Sequence, residues 1–207
     1  MTKIKICGLK EAETFDTVIN AGADYAGLVF YPPSPRFVSL SQAASLAQRA
    51  RGQTKLIGLF VAPKIEEISA VLQFVELDGL QIYGNSETVS HLKSHFSLPI
   101  WRQLGVTSPE DFPTEQEQSD QFVIEAKPPA GATRPGGNGL VADWALLAQF
   151  QTSRPWLLAG GLTPQNVAAA LKQTGAPGVD VSSGVETAPG QKNPALIEQF
   201  ILAARQA

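Results

Sequence analysis

KIKIC, residues 3–7, is the stretch from which the fold is read. Strand side chains alternate between faces, so Ile4 and Ile6 share one face while Lys3, Lys5 and Cys7 share the other. The apolar face needs helices against it; the polar face then points into an interior. Seven further apolar runs follow the same plan: YAGLVF (25–30), KLIGLFV (55–61), GLQIY (79–83), PIWRQL (99–104), QFVIEA (121–126), PWLLAG (155–160) and GVDVSS (178–183). Helix-period segments lie between them, among them AETFDTVINAG, SLSQAASLAQRA, KIEEISAVLQF, SETVSHLKSHF and PQNVAAALKQTG. Ser41, Ser86 and Thr163-Pro164 read as helix starts. The connection SPEDFPTEQEQ is the weakest helix because Pro113 interrupts it, and KNPALIEQFILAARQ closes the chain at helical spacing.

Eight strand–helix units in 207 residues, about 26 residues each, make a lean α/β chain of the parallel (β/α)8 TIM-barrel type. The competing fold is an open doubly wound sheet. No G-x-G-x-x-G follows the first strand, and eight units fill a closed barrel without remainder. No domain boundary is visible, so residues 1–207 are expected to form one barrel domain. The Pro/Gly-rich stretch 127–139 reads as a long loop on the active face rather than a linker.

Composition narrows the function. The chain is 43% hydrophobic and 17% charged, with a net charge of −3, which gives no reason to expect nucleic acid or an anionic membrane as partner. One cysteine forms no internal disulfide and fits a reducing compartment. The first ten residues have no signal-peptide pattern, and no apolar run approaches the ~20 residues of a membrane span. The expectation is a cytoplasmic protein, monomeric by default. His91 and His95 are four apart on a polar helix without an acidic residue between them, so no metal site is expected.

Alternation sorts the remaining polar residues. Gln81 and Tyr83 point inward in the fourth strand, Glu125 in the sixth, Asp180 and Ser182 in the eighth; Arg102 is placed with them. Barrel interiors are ordinarily branched aliphatics, and burying this many ionisable groups is expensive unless they pair or face a ligand. Lys5 and Asp180 fit a structural salt bridge as well as a site. Cys7 and Glu125, last on their strands, fall at the end of the barrel where such folds carry chemistry. Lys5 lies about 6–7 Å along the strand from Cys7, and an ammonium there lowers a thiol's pKa toward the thiolate that accepts a proton.

The loops after strands seven and eight, AGGLTPQN (159–166) and SSGVE (182–186), put Gly160, Gly161, Ser182, Ser183 and Gly184 at strand exits. Either loop alone reads as a turn. Both together, in the positions where such barrels bind anions, read as a phosphate cradle. The loop FYPPSPRFVS (30–39), stiffened by three prolines, carries Arg36. That arginine reads as a solvated surface side chain or as a fork for a substrate carboxylate.

Taken in order, these stretches resemble the phosphoribosylanthranilate isomerase family of tryptophan biosynthesis. The resemblance runs the whole chain: K-I-C-G at 5–8, G-L-V-F-Y-P-x-S-P-R at 27–36, L-Q-I-Y-G at 80–84, A-K-P-P…P-G-G-N-G at 126–139, D-W at 143–144, A-G-G-L-T-P-x-N-V at 159–167 and V-D-V-S-S-G-V-E at 179–186. It implies a cofactor-free Amadori rearrangement of N-(5-phosphoribosyl)anthranilate to 1-(2-carboxyphenylamino)-1-deoxyribulose 5-phosphate, the third step of tryptophan synthesis from chorismate. It further implies Cys7 as general base, Glu125 at the position of the family's acidic aspartate, Arg36 on the substrate carboxylate, and the loop glycines and serines on the phosphate. Lys5, Tyr83 and Asp180 would support them. The acid must keep its proton, which burial favours, and the thiol must lose its own, which Lys5 favours.

Three residues depart from the family pattern. Glu125 replaces aspartate and adds about 1.5 Å of reach; a misplacement near 1 Å can cost on the order of 100-fold in rate. Tyr83 stands where the family has histidine, and Ala142 where it has phenylalanine. Two other readings follow. One is the related sugar-phosphate isomerase of histidine biosynthesis, against which Cys7 and the single clear phosphate cradle argue. The other is a homologue that binds the phosphorylated ligand without turning it over.

Overall fold

The alternation of KIKIC becomes the first stave of a closed barrel. In the computed structural model, which describes residues 1–50, 52–126 and 143–207, β1 (Lys3–Cys7), β2 (Tyr25–Val29), β3 (Lys55–Val61), β4 (Gly79–Tyr83), β5 (Ile100–Val106), β6 (Gln121–Ala126), β7 (Trp156–Leu158) and β8 (Gly178–Val181) pair in parallel in sequence order. β1 closes the ring on β8, with Lys5 opposite Asp180 and Ile6 opposite Val181. The 127–139 loop and Ala142 of the sequence reading lie outside the described residues. Among the described residues no helix is long and apolar enough to cross a membrane.

The outer layer is built from α1 (Ala12–Asn20), α2 (Leu40–Ala50), α3 (Ile65–Leu72), α4 (Ser86–Lys93), α5 (Trp144–Leu147), α6 (Val167–Thr174) and α7 (Pro194–Arg205). Ile4, Ile6, Leu80, Ile82, Phe122, Ile124 and Val179 face these helices with essentially no exposure, packed with Phe15, Ile68, Val89 and Phe200. Complete burial of each such side chain contributes roughly 1.5–3 kcal/mol.

The helix starts differ from the sequence reading: α6 begins at Val167 behind Asn166, leaving Thr163 and Pro164 in the turn before it, and the two serine caps shift as well. Ser39, not Ser41, caps α2: its hydroxyl accepts from Gln42 N at 3.2 Å while the Gln42 side chain accepts from Ser39 N at 3.0 Å. Asn85 caps α4 by accepting from Thr88 N at 2.9 Å. This leaves Ser86 inside the first turn with its hydroxyl on Glu117. In both cases the residue directly before the first helical position takes a free backbone N–H of the first turn.

The fifth unit has no α-helix after its strand, only a 3-10 turn at Pro109–Asp111. This corrects the placement of Arg102. It shares the outer face of β5 with Ile100 and Leu104, and its guanidinium bonds the Gly84 carbonyl, Ser86 and Glu117. There the buried Glu117 carboxylate, the Ser86 hydroxyl and the Gly84 carbonyl satisfy the charge, and the Ser86 and Ser119 hydroxyls in turn donate to Glu117.

After β8 the chain does not pass directly to the last helix. A 3-10 turn (Ser183–Val185) leads into a two-stranded hairpin, β9 (Glu186–Ala188) and β10 (Gln191–Lys192), folded back over Pro189-Gly190. Gly190 has φ 81°, and a Cβ there would lie 2.4 Å from the Pro35 carbonyl oxygen. The hairpin therefore packs against the loop that carries Arg36.

Candidate active site

Inside the barrel the side chains fall into levels. Ile57, Trp101, Val123, Leu157 and Ala159 form an apolar floor, with Tyr25 against it. One inward step below Cys7 and Tyr83 lie two polar pairs. Lys5 Nζ donates to Asp180 Oδ1 at 2.8 Å, and Gln81 Nε2 to Gln103 Oε1 at 2.7 Å. Lys5 is wholly buried. Burial opposes its charge, yet Asp180 and Cys7 outweigh that and raise its pKa above 10.5. An ammonium so paired avoids the cost of an unpartnered buried charge.

Above these pairs the barrel opens into a cleft that reaches solvent. Cys7, Arg36, Tyr83, Glu125, Asp180, Gly160, Gly161, Ser182, Ser183 and Gly184 all line it, so every site residue expected from the sequence meets here except Lys5, which lies beneath. Val29, Tyr31, Leu59 and Val61 form an apolar wall on the β2–β3 side. Gln103 and Ser34 line the cleft as well.

Cys7 fits because its neighbour on β2 is glycine: a Cβ on Gly27 would fall 2.9 Å from Cys7 Sγ. Burial pushes the thiol's pKa up; Lys5 and Lys192 pull it down, Asp180 pushes it further up, and the net result lies above 9.0. Lys5 thus acts on the thiol in the direction expected from the sequence, and burial of the thiolate opposes it. Tyr83 donates its hydroxyl to Glu125 Oε1 at 3.2 Å. Burial, then the Glu125 carboxylate, holds the phenol well above its ordinary value of 10.0.

Arg36 is buried rather than solvated. Its Nε donates to Glu186 Oε1 at 2.8 Å and its Nη2 to Glu186 Oε2 at 2.9 Å. Two of the five donor hydrogens of a guanidinium are thereby used inside the protein. Glu186 also accepts from Lys192 Nζ at 2.7 Å and from Gly190 N at 3.2 Å. Burial would raise this carboxyl, but Arg36 and Lys192 hold it below 4.5.

On the far side, Gly160 and Gly161 have φ of 84° and 63°, a region glycine enters without strain. Asn166 braces that loop, accepting from Thr163 N at 2.8 Å and donating to the Gly161 carbonyl at 2.9 Å. Gly184 sits so close to it that a Cβ would lie 1.7 Å from the Leu162 carbonyl oxygen. The two loops therefore close on each other at the β7–β8 end of the cleft.

Lys192 carries no signal of its own in the sequence, where it only precedes the terminal helical stretch. Pro189-Gly190 between Glu186 and Lys192 was the available signal, since that dipeptide marks a turn that brings its flanks together.

The comparisons agree with this geometry. A sequence model of N-(5'phosphoribosyl)anthranilate (PRA) isomerase matches residues 4–203. The N-(5'-phosphoribosyl)anthranilate isomerase of Acidiphilium cryptum is 48% identical over 207 residues, covering all of both chains. The crystal structure of phosphoribosyl anthranilate isomerase from Thermotoga maritima superposes with a TM-score of 0.85 at 29% identity, again covering both chains completely. A phosphoribosyl anthranilate isomerase crystallised with reduced 1-(o-carboxyphenylamino)-1-deoxyribulose 5-phosphate gives 0.80 at 27% identity over the whole of both chains. Matched across nearly its whole length in sequence and across all of it in fold, this chain belongs to the N-(5'-phosphoribosyl)anthranilate isomerase family.

Proposed function

We propose that the cleft isomerises N-(5'-phosphoribosyl)anthranilate to 1-(2-carboxyphenylamino)-1-deoxyribulose 5-phosphate, with Glu125 as general acid and Cys7 as general base. The observation that carries this reading is that Cys7 on β1 and Glu125 on β6 line one cleft, which the glycine–serine loops of β7 and β8 close at one end. The crystallised relative named above holds a ligand of this product's type.

The roles follow from the bonds that change. Protonation of the furanose ring oxygen, assisted by the amine lone pair, breaks the C1′–O bond and leaves an open-chain iminium. Glu125 donates that proton. Loss of the C2′ proton to the Cys7 thiolate gives an enolamine, which tautomerises to the ketone. Such positioned proton transfers contribute typically 10²–10⁴-fold each. The two groups stand three strands apart around the ring, so the sugar can lie between them.

The same assignment disposes of the substrate's ends. The Gly160–Gly161 and Ser182–Gly184 loops take the phosphate through backbone N–H groups and serine hydroxyls. Val29, Tyr31, Leu59 and Val61 take the aromatic ring, and Arg36 takes the carboxylate with the donor hydrogens not given to Glu186. Lys5 and Asp180 support Cys7 from below. These groups all come from one chain, so the reading needs no second copy to complete the cleft.

Cys7→Ala tests the base. The expected result is no measurable turnover with product-analogue binding within about threefold of native; activity close to native would remove Cys7 as base.

A further inference from the structure

Lys192 is the buried cation for which the mechanism above has no use. It stands on β10, outside the eight barrel strands, and is only 8% exposed. Its ammonium has three acceptors: the Ser182 carbonyl at 3.0 Å, Ser182 Oγ at 3.1 Å and Glu186 Oε1 at 2.7 Å. Each acceptor leads to a part of the site. The Ser182 hydroxyl donates onward to the Cys7 carbonyl at 3.0 Å. Glu186 holds the Arg36 guanidinium through two bonds.

We propose that Lys192 is a positioning residue that joins the Cys7 end of β1 to Arg36 and lends positive charge to the Cys7 thiol. The role rests on Cys7 being the base proposed above, and it extends that reading to a residue that touches neither the substrate nor the reacting atoms.

Charge bookkeeping around the thiol supports it. Arg36, Glu186 and Lys192 together carry one net positive charge beside the strand end. The other groups facing Cys7 are Lys5 from its own strand, Asp180 from β8, Tyr83 from β4 and Glu125 from β6. Asp180 offsets part of the pull of Lys5 as its ion-pair partner, and Lys192 adds positive charge from the other side of the thiol. Burial pulls the ammonium down to about 8 although Glu186 pulls it up. It is therefore charged at neutral pH and loses its charge as pH rises past that value.

Because Cys7 is the chain's single cysteine, its alkylation reads the thiol without any substrate. The experiment is the iodoacetamide rate at Cys7, followed by intact mass between about pH 6.5 and 9.5, for native protein, Lys192→Met and Lys192→Arg, with Cys7→Ala as blank. Lys192→Met is expected to slow alkylation about threefold below about pH 8, where the ammonium is charged, and to converge on the native rate as pH rises past that value. Lys192→Arg, which keeps a charge, is expected to stay within about twofold of native. A Lys192→Met profile that superimposes on native overturns the proposal. Should circular dichroism show the methionine variant unfolded, the arginine variant decides: a rate within twofold supports the role and a tenfold loss overturns it. A chain that alkylates as expected but never isomerises the anthranilate would remove the proposed function and leave the Lys192–Cys7 coupling standing.

Discussion

The Tyr83 hydroxyl reaches across from β4 to Oε1 of Glu125 on β6 at 3.2 Å. These are two of the positions at which the chain departs from the family pattern, histidine there being tyrosine here and aspartate being glutamate. Read singly, the glutamate changes the reach of the expected acid and the tyrosine has no assigned partner. Together they touch, and the longer carboxylate is held by a phenol whose high pKa keeps it a hydrogen-bond donor through the neutral range.

Tyr83→Phe removes that donor without changing the shape of the cleft. The expected result is a fall in kcat of about tenfold with KM changed less than threefold, because positioning of the acid matters chiefly as the proton moves. Steady-state kinetics checks it; unchanged kcat would mean the tyrosine only packs.

Arg36→Ala removes a guanidinium already shared with Glu186. Affinity for a carboxylate-bearing product analogue should fall about 30-fold or more, the size of a lost charge-assisted hydrogen bond. Affinity for ribose 5-phosphate should change less than threefold. Calorimetric titration of both ligands reads the difference, and equal losses would assign the arginine to the phosphate or to the fold.

Gly184→Ala would set a Cβ 1.7 Å from the Leu162 carbonyl oxygen and 2.8 Å from its carbon, both backbone atoms that cannot rotate away. The loops after β7 and β8 must then part. KM for the phosphorylated substrate should rise about tenfold with kcat changed less. A KM equal to native would show that the cradle does not depend on this contact.

Acid stability should depend on Glu117. Burial would raise its carboxyl, but Ser86, Ser119 and Arg102 outweigh burial and hold it below the ordinary 4.5. A depressed carboxyl contributes stability that is present above its unfolded pKa and lost as pH falls below about 4.5; Glu186 behaves in the same way. Glu117→Ala leaves the Arg102 charge without its carboxylate and should cost about 3 kcal/mol, or roughly 10 °C in Tm for a chain this size. Its acid transition should also be shallower than that of the native protein. Thermal melts at neutral pH and near pH 4 test both points.

Strand alternation was legible wherever a helix covers the outside. Ile4 and Ile6, Leu80 and Ile82, and Phe122 and Ile124 announced their outer faces, and so placed Cys7, Tyr83 and Glu125 in the cleft before any coordinates. The same rule failed at Arg102 because it assumes an apolar cover. Over Arg102 the cover is Ser86 and Glu117, and a cation belongs there between the apolar Ile100 and Leu104. The paired glycine-bearing loops at the ends of β7 and β8 were legible from glycine spacing. The Arg36–Glu186 pair spans 150 residues of sequence, and only the hairpin folding back onto the Pro35 loop brings the two side chains together. Lys192 is hidden for the same reason, and so is the burial that opposes Lys5 at the Cys7 thiol, which depends on strands and loops far away in sequence.

The most direct test of the central claim is turnover of freshly generated N-(5'-phosphoribosyl)anthranilate, followed by loss of its fluorescence, for native protein beside Glu125→Gln. The account predicts turnover by the native chain and a loss of at least about 100-fold in the variant, with Glu125→Asp between them because it shortens the reach to Tyr83 and to the sugar. A Glu125→Gln variant as fast as native would contradict it, and the proton delivered to the ring oxygen would have to come from somewhere other than β6.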